Sequence, residues 1–284
     1  MILVLGASGA VGSALLDELR GEGHAVRAAY HSRQQTARAA DSGQDAATVD
    51  LSRPGTLRPA LEGADAVFLL AATGAELTRQ ELNVIDAAKA AGAQHVVKLS
   101  VWRADERLTP IARLHRPGEE ALQSSGISWT ILRPNFYMQN FVRQMAGSIR
   151  ETRSFSQPET KAAISFVDAR DVARAAAQIL TTAGHEGHIY DVTGPEALTY
   201  DQAAAVFSQV LGSPVRFAGL PDEEARAEML NRRLAAGYVE ALIEVSRAYR
   251  RGGAERVTSV VRDLTGHAPV SFEDFVRDNI PAFR

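Results

Sequence analysis

Residues 3–16 read LVLGASGAVGSALL, with Gly6, Gly9 and Gly12 set between an apolar run and a helical pattern. No other feature constrains the fold as much. Residues 1–5 (MILVL) read as a short buried strand. Residues 10–22 place Val11, Leu15, Leu16 and Leu19 on one helical face. Gly6 permits a tight turn. Gly9, with Ser8 and Val11 beside it, lets a pyrophosphate approach backbone N–H groups at the helix N-terminus, where the dipole favours anions. Gly12 lets helix and strand pack closely. A loop of this kind after the first strand implies a bound dinucleotide. The other reading is a strand-to-helix turn that needs glycine for packing alone.

The pattern repeats along the N-terminal half. Apolar runs at 25–30, 46–49, 66–70, 95–100 and 128–133 read as strands. A helix over 76–91 closes on Gly92, and another ends near Gly126. Strands separated by helices give βαβ units with right-handed crossovers. The fold class is therefore α/β, a Rossmann-type doubly wound parallel sheet over residues 1–134. From 135 to 284 helical patterns dominate, at 169–180, 200–211, 222–250 and 255–264. Short strands fall at 164–167, 189–192 and 215–217. This is a smaller, mostly helical C-terminal substrate lobe, with a short strand returning to the main sheet.

Composition narrows the function classes. The 284 residues carry a net charge of −3, which gives no basic footprint for nucleic acid. There is no cysteine, so disulfides and thiolate metal sites are excluded. His185 and His188 lack a carboxylate set, so no metal is expected. A strand at the start leaves no room for a signal peptide, and no apolar run approaches the ~20 residues of a membrane span. A cytoplasmic protein with a small-molecule substrate is expected, without a membrane or direct nucleic-acid partner; a homodimer is left open.

An NAD site has an acid at the end of the second strand. Here that place reads AAYHSRQQ (28–35), with His31, Ser32 and Arg33. A guanidinium suits a 2′-phosphate, which favours NADP(H) over NAD(H); the alternative is a solvated loop cation. Asp50 and Leu51 follow the third strand, where Asp50 either accepts from an adenine amine or caps the next helix. Ala71, Ala72 and Thr73 follow the fourth strand and leave space for ribose and diphosphate.

With these residues in place the chain resembles the NmrA-like family of atypical short-chain dehydrogenases/reductases, including its quinone reductase-like and triphenylmethane reductase-like members. The matching stretches are GASGAVG (6–12), ADAVFLLAA (64–72), HVVKLS (95–100), SGISWTILRPNFYMQNF (125–141), FVDARDVARAAA (166–177) and YDVTGPEALTYDQAA (190–204). The resemblance implies that the glycine loop holds the diphosphate and that Pro134, Asn135 and Phe136 approach the nicotinamide. It also implies that Tyr137 and the following segment, with Phe141, line the substrate pocket; the alternative for these aromatics is lobe packing. No flavin is implied. The family also contains dinucleotide-binding regulators, so a non-catalytic redox sensor acting through a protein partner is the second expectation.

IARLHRPGEEAL (111–122) lies where the wider superfamily keeps a catalytic tyrosine and, four residues on, a lysine. By this resemblance Ile111 stands on the tyrosine position and His115 on the lysine, while Ser100 falls on or near the carbonyl-polarising serine. Without the tyrosine acid an ordinary ketone is a poor substrate. Quinones, azo dyes, extended cations and enones delocalise the charge that hydride brings, and one weak acid or solvent completes protonation. A histidine has the right range for that, so His115 and Ser100 are the candidate catalytic residues. Pro117 suggests a helix beginning there, which would place His115 at its N-terminus and lower its pKa. If the helix reaches back to Leu114, Glu119 pairs with His115. The alternative is an ordinary surface histidine.

Overall fold

The computed structural model describes residues 1–284. In chain order it contains β1 (Ile2–Val4), α1 (Ala10–Gly21), β2 (Val26–Tyr30), α2 (Arg33–Asp41), β3 (Ala46–Thr48), α3 (Pro54–Leu61), β4 (Ala66–Leu69), α4 (Leu77–Ala91), β5 (His95–Leu99), α5 (Pro110–Ser124) and β6 (Ser128–Pro134). There follow α6 (Ala146–Thr152), β7 (Ser154–Pro158), α7 (Ala169–Thr181), β8 (His188–Val192), α8 (Tyr200–Leu211), β9 (Arg216–Leu220), α9 (Asp222–Asn231), α10 (Ala236–Arg250), α11 (Val260–Thr265), α12 (Phe272–Asp278) and α13 (Ile280–Phe283). The chain divides into two compact units. Unit one comprises residues 1–107, 111–134 and 172–191, and unit two the remainder.

Unit one is built on a seven-stranded sheet of order β3-β2-β1-β4-β5-β6-β8. The neighbours from β3 through β6 are parallel, in register Ile2↔Val26, Ile2↔Ala66, Ala66↔His95 and His95↔Ser128. Strand order reverses on either side of β1, the arrangement of a doubly wound sheet. Both faces of the inner strands are covered, so β1 and β4 are apolar throughout rather than alternating. Leu3, Leu5, Val67, Leu69 and Val96 meet Leu57, Leu61, Val84, Ile85 and Leu122 in one buried cluster. Gly92, at φ 77°, closes α4.

Unit two pairs β7 with β9 in parallel, from Ser154↔Arg216 to Pro158↔Leu220. Its core is aromatic. Phe141 meets Phe155, Phe166, Phe207 and Phe272 at ring separations of 4.9–5.7 Å, mostly edge-to-face. α8 opens on a full capping box between Thr199 and Gln202, and Gly212 closes it in the left-handed conformation.

Four expectations are corrected. Residues 164–167 form isolated bridges, Ile164 with Leu198 and Val167 with Tyr137, rather than a strand. Residues 222–250 make two helices, because Arg233 takes a left-handed φ of 62° in the segment between α9 and α10. Of residues 255–264 only α11, from Val260, is helical. α5 begins at Pro110, with Pro117 inside it. The buried face of α5 is Ala112, His115, Glu119 and Leu122, a helical spacing that counts two polar residues as core. No helix is long and apolar enough to cross a membrane.

Candidate active site

The glycine loop leaves β1 at the carboxyl edge of the sheet. Gly6 has φ 71°, and a Cβ there would lie 2.0 Å from Leu70 Cδ2. A Cβ on Gly12 would lie 2.1 Å from the Gly6 carbonyl oxygen. Both glycines are thus required by the protein's own packing. Gly9 differs: φ is −80°, and its Cβ would meet no protein atom closer than 3.3 Å. Gly9 is also the N-cap of α1, with no side-chain cap and no acid in the first turn. The first N–H groups of α1 are left to whatever lies outside the loop. Val11 is buried on the packing face of α1, whereas Ser8 is exposed.

His31 and Arg33 are exposed at the end of β2 and make no hydrogen bond or ion pair. Ser32 is the N-cap of α2, its side chain accepting from Gln35 N. Asp50 serves its own turn: Oδ1 accepts from Ser52 N at 2.9 Å, and the carboxylate pairs with Arg53 at 3.3 Å. Leu51 packs on the core, and its carbonyl accepts from Asn83. Ala71 is half-buried after β4; Ala72 and Thr73 are exposed.

Beneath β5 and α5 lies a buried polar network. Lys98, in the middle of β5 and fully buried, donates from Nζ to Glu81 Oε1 on α4 at 2.6 Å. His115 Nδ1 lies 3.1 Å from Lys98 Nζ and 2.9 Å from Glu81 Oε1. Glu119 does not pair with His115. It accepts from Ser100 Oγ at 2.6 Å and, as a fork, from Arg133 Nε at 2.9 Å and Nη2 at 2.6 Å. Arg116 also reaches it, at 2.9 Å. Ser100 therefore spends its proton on a buried carboxylate, so His115 and Ser100 sit in two hydrogen-bonded groups rather than one. Pro117 supplies no N–H to the α5 ladder; Thr78 Oγ1 instead donates to the Leu114 carbonyl next to that gap, at 2.7 Å.

His115 is held below the usual histidine range, by burial first and by the Lys98 charge second. The lowering matches the sequence expectation, but its cause is not a helix N-terminus. Burial also lowers Lys98. For Glu119 burial opposes the charge, and hydrogen bonds from Arg133 and Ser100 outweigh it, holding the carboxyl below its ordinary range. These shifts predict acid lability. A histidine depressed in the fold takes up its proton more readily when unfolded, so stability falls as pH drops below about 6.5. His95, lowered by burial, adds to this window. Stability contributed by Glu119 is present above about pH 4.5 and is lost as pH falls through its lowered value. Guanidinium unfolding at pH 7.5, 6.0 and 5.0 should show a steady decline, shallower between 6.5 and 5 for His115→Asn. An unchanged slope in that variant would contradict the assignment.

In unit two, Asn135 is buried, and its side chain is committed: the amide donates to Ser165 Oγ and the Ala254 carbonyl at 3.0 Å each, and the oxygen accepts from Tyr249 at 3.2 Å. Phe136 is half-buried against Phe141, Phe166 and Tyr200. Phe141 is fully buried at the centre of the aromatic core, which makes it a packing residue. Tyr137 has a shielded hydroxyl without a hydrogen-bond partner, and burial pushes its pKa up. A cavity of ≈ 840 Å³ is lined by Thr160, Lys161, Pro221, Asp222, Tyr249 and Arg250, among others.

Lys98, Glu81 and Arg133 join the site without any motif in the sequence that marks them. One signal was available for Lys98: a lysine inside a fully buried strand must find a partner.

A doubly wound parallel sheet with an uncapped glycine-loop helix defines a Rossmann-type protein. More closely, the chain belongs to the NmrA-like family, whose model matches residues 1–271. It is 34% identical to an NAD(P)H azoreductase of Xenophilus azovorans, over all of this chain and 99% of that one. It is 35% identical to the (4-alkanoyl-5-oxo-2,5-dihydrofuran-3-yl)methyl phosphate reductase of Streptomyces griseus, with the same coverage. Among solved structures it superposes on an NADPH-dependent quinone oxidoreductase of Escherichia coli complexed with NADPH, with a TM-score of 0.91 and 27% identity, covering 99% of this chain and 100% of that one.

Proposed function

We propose that this oxidoreductase passes hydride from NADPH to a conjugated small-molecule acceptor of quinone, azo or enone type. The observation that carries the reading is the carboxyl edge of the sheet in unit one. There α1 is uncapped, Gly9 is spared the overlaps that fix Gly6 and Gly12, and His31 and Arg33 stand exposed and unpaired. A diphosphate at α1 and a 2′-phosphate at Arg33 and His31 answer all three features. The named reductases matched over whole chains support the same class of chemistry.

In this reading Gly6, Ser8, Gly9, Val11 and Gly12 form the diphosphate loop. His31, Ser32 and Arg33 hold the 2′-phosphate, Arg33 by charge, His31 by a ring N–H and Ser32 by opening α2. Asp50 and Leu51 border the adenine, and Ala71, Ala72 and Thr73 leave room for ribose. Pro134, Asn135 and Phe136 border the nicotinamide, with Asn135 acting through the backbone its committed side chain orders. Tyr137 lines the acceptor pocket. NADPH, when bound, supplies the hydride. His115 supplies a hydrogen bond to the reacting region, and Ser100 holds Glu119 in place. The residues at 111 and 115 offer no phenol acid, which confines the chemistry to acceptors that delocalise charge.

Arg33→Ala is expected to raise the NADPH Kd by about ten- to hundredfold, for the loss of charge-assisted contacts worth ~1.5–3 kcal/mol. NADH binding should stay within about twofold. Calorimetric titration of both cofactors checks this, and equal losses for the two would remove the 2′-phosphate assignment.

A further inference from the structure

The cluster beneath β5 raises a question that hydride transfer does not answer: why a lysine and a glutamate are buried against a histidine. Lys98 is fully buried, and so is Glu81. Leaving either charge unmatched in such a place would be costly. An ammonium has three protons and no lone pair, so its demand can be counted. Around Lys98 Nζ stand three acceptors: Glu81 Oε1 at 2.6 Å, His115 Nδ1 at 3.1 Å and the Leu99 carbonyl at 3.3 Å.

That count settles the ring. If Nδ1 carried a proton it could donate to Glu81 Oε1 at 2.9 Å, but the third proton of the ammonium would then face an N–H. With the lone pair on Nδ1, all three protons of Lys98 are satisfied and Glu81 still neutralises the charge. We infer that Lys98, charge-balanced by Glu81, fixes His115 as the tautomer with its proton on Nε2, so the ring presents a donor on the side away from the ion pair. Lys98 and Glu81 are then positioning residues. Nε2 makes no hydrogen bond within the protein and is not among the sealed, unpartnered atoms, and the side chain keeps 8% of its surface.

The space for this cluster is built into α5. A Cβ on Gly118 would lie 2.0 Å from Glu81 Oε2 and 3.1 Å from Lys98 Cε. Glycine at 118 lets the carboxylate sit flush against the helix that carries His115. The inference extends to catalysis only by resting on the function proposed above: a neutral histidine with Nε2–H can donate to a carbonyl, azo nitrogen or quinone oxygen as charge develops there.

The test is nitrogen-15 NMR of histidine-labelled protein at pH 7.5, with His115 assigned by its loss in His115→Gln. A pyridine-type Nδ1 and a protonated Nε2 are expected. Lys98→Met should transfer the proton to Nδ1, facing Glu81; if that variant does not fold, the wild-type spectrum decides alone. A wild-type ring protonated at Nδ1 would overturn the inference. Kinetics separate the two layers. His115→Gln keeps an amide near the Nε2 position and should retain at least tenfold more kcat than His115→Asn, with KM little changed. Equal kcat for the two alongside the expected spectrum would remove the catalytic role of His115 and leave the tautomer assignment standing.

Discussion

Replacing Lys98 with methionine is expected to lower the free energy of unfolding by about 3–5 kcal/mol. The variant would leave the Glu81 carboxylate fully buried with its ammonium partner gone and only His115 Nδ1, at 2.9 Å, to face it; its Oε2 already lacks a partner. Hydrophobic volume is nearly conserved, so the loss would report the missing ammonium rather than a cavity. Adding Glu81→Leu should recover most of the loss, because removing both charges removes the desolvation penalty together with the attraction. Denaturant unfolding of the two single variants and the double one forms a cycle whose coupling should be at least as large as the loss that Glu81→Leu recovers. Independent, additive losses would show that the pair is not the structural unit described here.

Gly12→Ala should affect cofactor and fold together. The new methyl would sit 2.1 Å from the Gly6 carbonyl oxygen and 2.8 Å from its carbon, backbone atoms that cannot turn aside. α1 would have to move away from the loop, at a cost of ~1–3 kcal/mol in stability. The N–H groups at its start would move with it, and NADPH affinity should fall on the order of a hundredfold, about 3 kcal/mol. Gly9→Ala provides the contrast. Its Cβ would stand 3.3 Å from the Gly6 carbonyl oxygen, tight but without the overlap at Gly12, so it should lose less stability than Gly12→Ala while NADPH affinity falls if a diphosphate occupies that space. Thermal unfolding and cofactor titration of both variants separate the two reasons for glycine.

How much of this was legible in the sequence depends on range. The inner strands were readable because a parallel strand covered on both faces is a continuous apolar run, as in residues 66–69. α2 was not, since Ala39 is its only buried residue and its periodicity is faint. The division between α9 and α10 rests on a left-handed arginine, where the usual glycine signal is missing. Residues 164–167 (ISFV) are buried and mostly apolar without a neighbouring strand to complete a ladder, so composition alone misled. The glycine loop was readable in position, since its glycines stand within one strand-to-helix connection. The polar network was not: Lys98 meets Glu81 and His115 each across 17 residues, and Glu119 meets Ser100 across 19. Nothing in local spacing told that His115 would face Lys98 and Glu81 while Glu119 faced Ser100 and Arg133.

The most direct test of the central claim is the rate of nicotinamide oxidation by the purified protein, with NADPH and NADH in parallel, against a quinone, an azo dye, an enone and a saturated ketone. The account predicts turnover with at least one conjugated acceptor, preferring NADPH, and none above background with the ketone. Tight NADPH binding with no oxidation against any conjugated acceptor, or equal turnover of the saturated ketone, would contradict it.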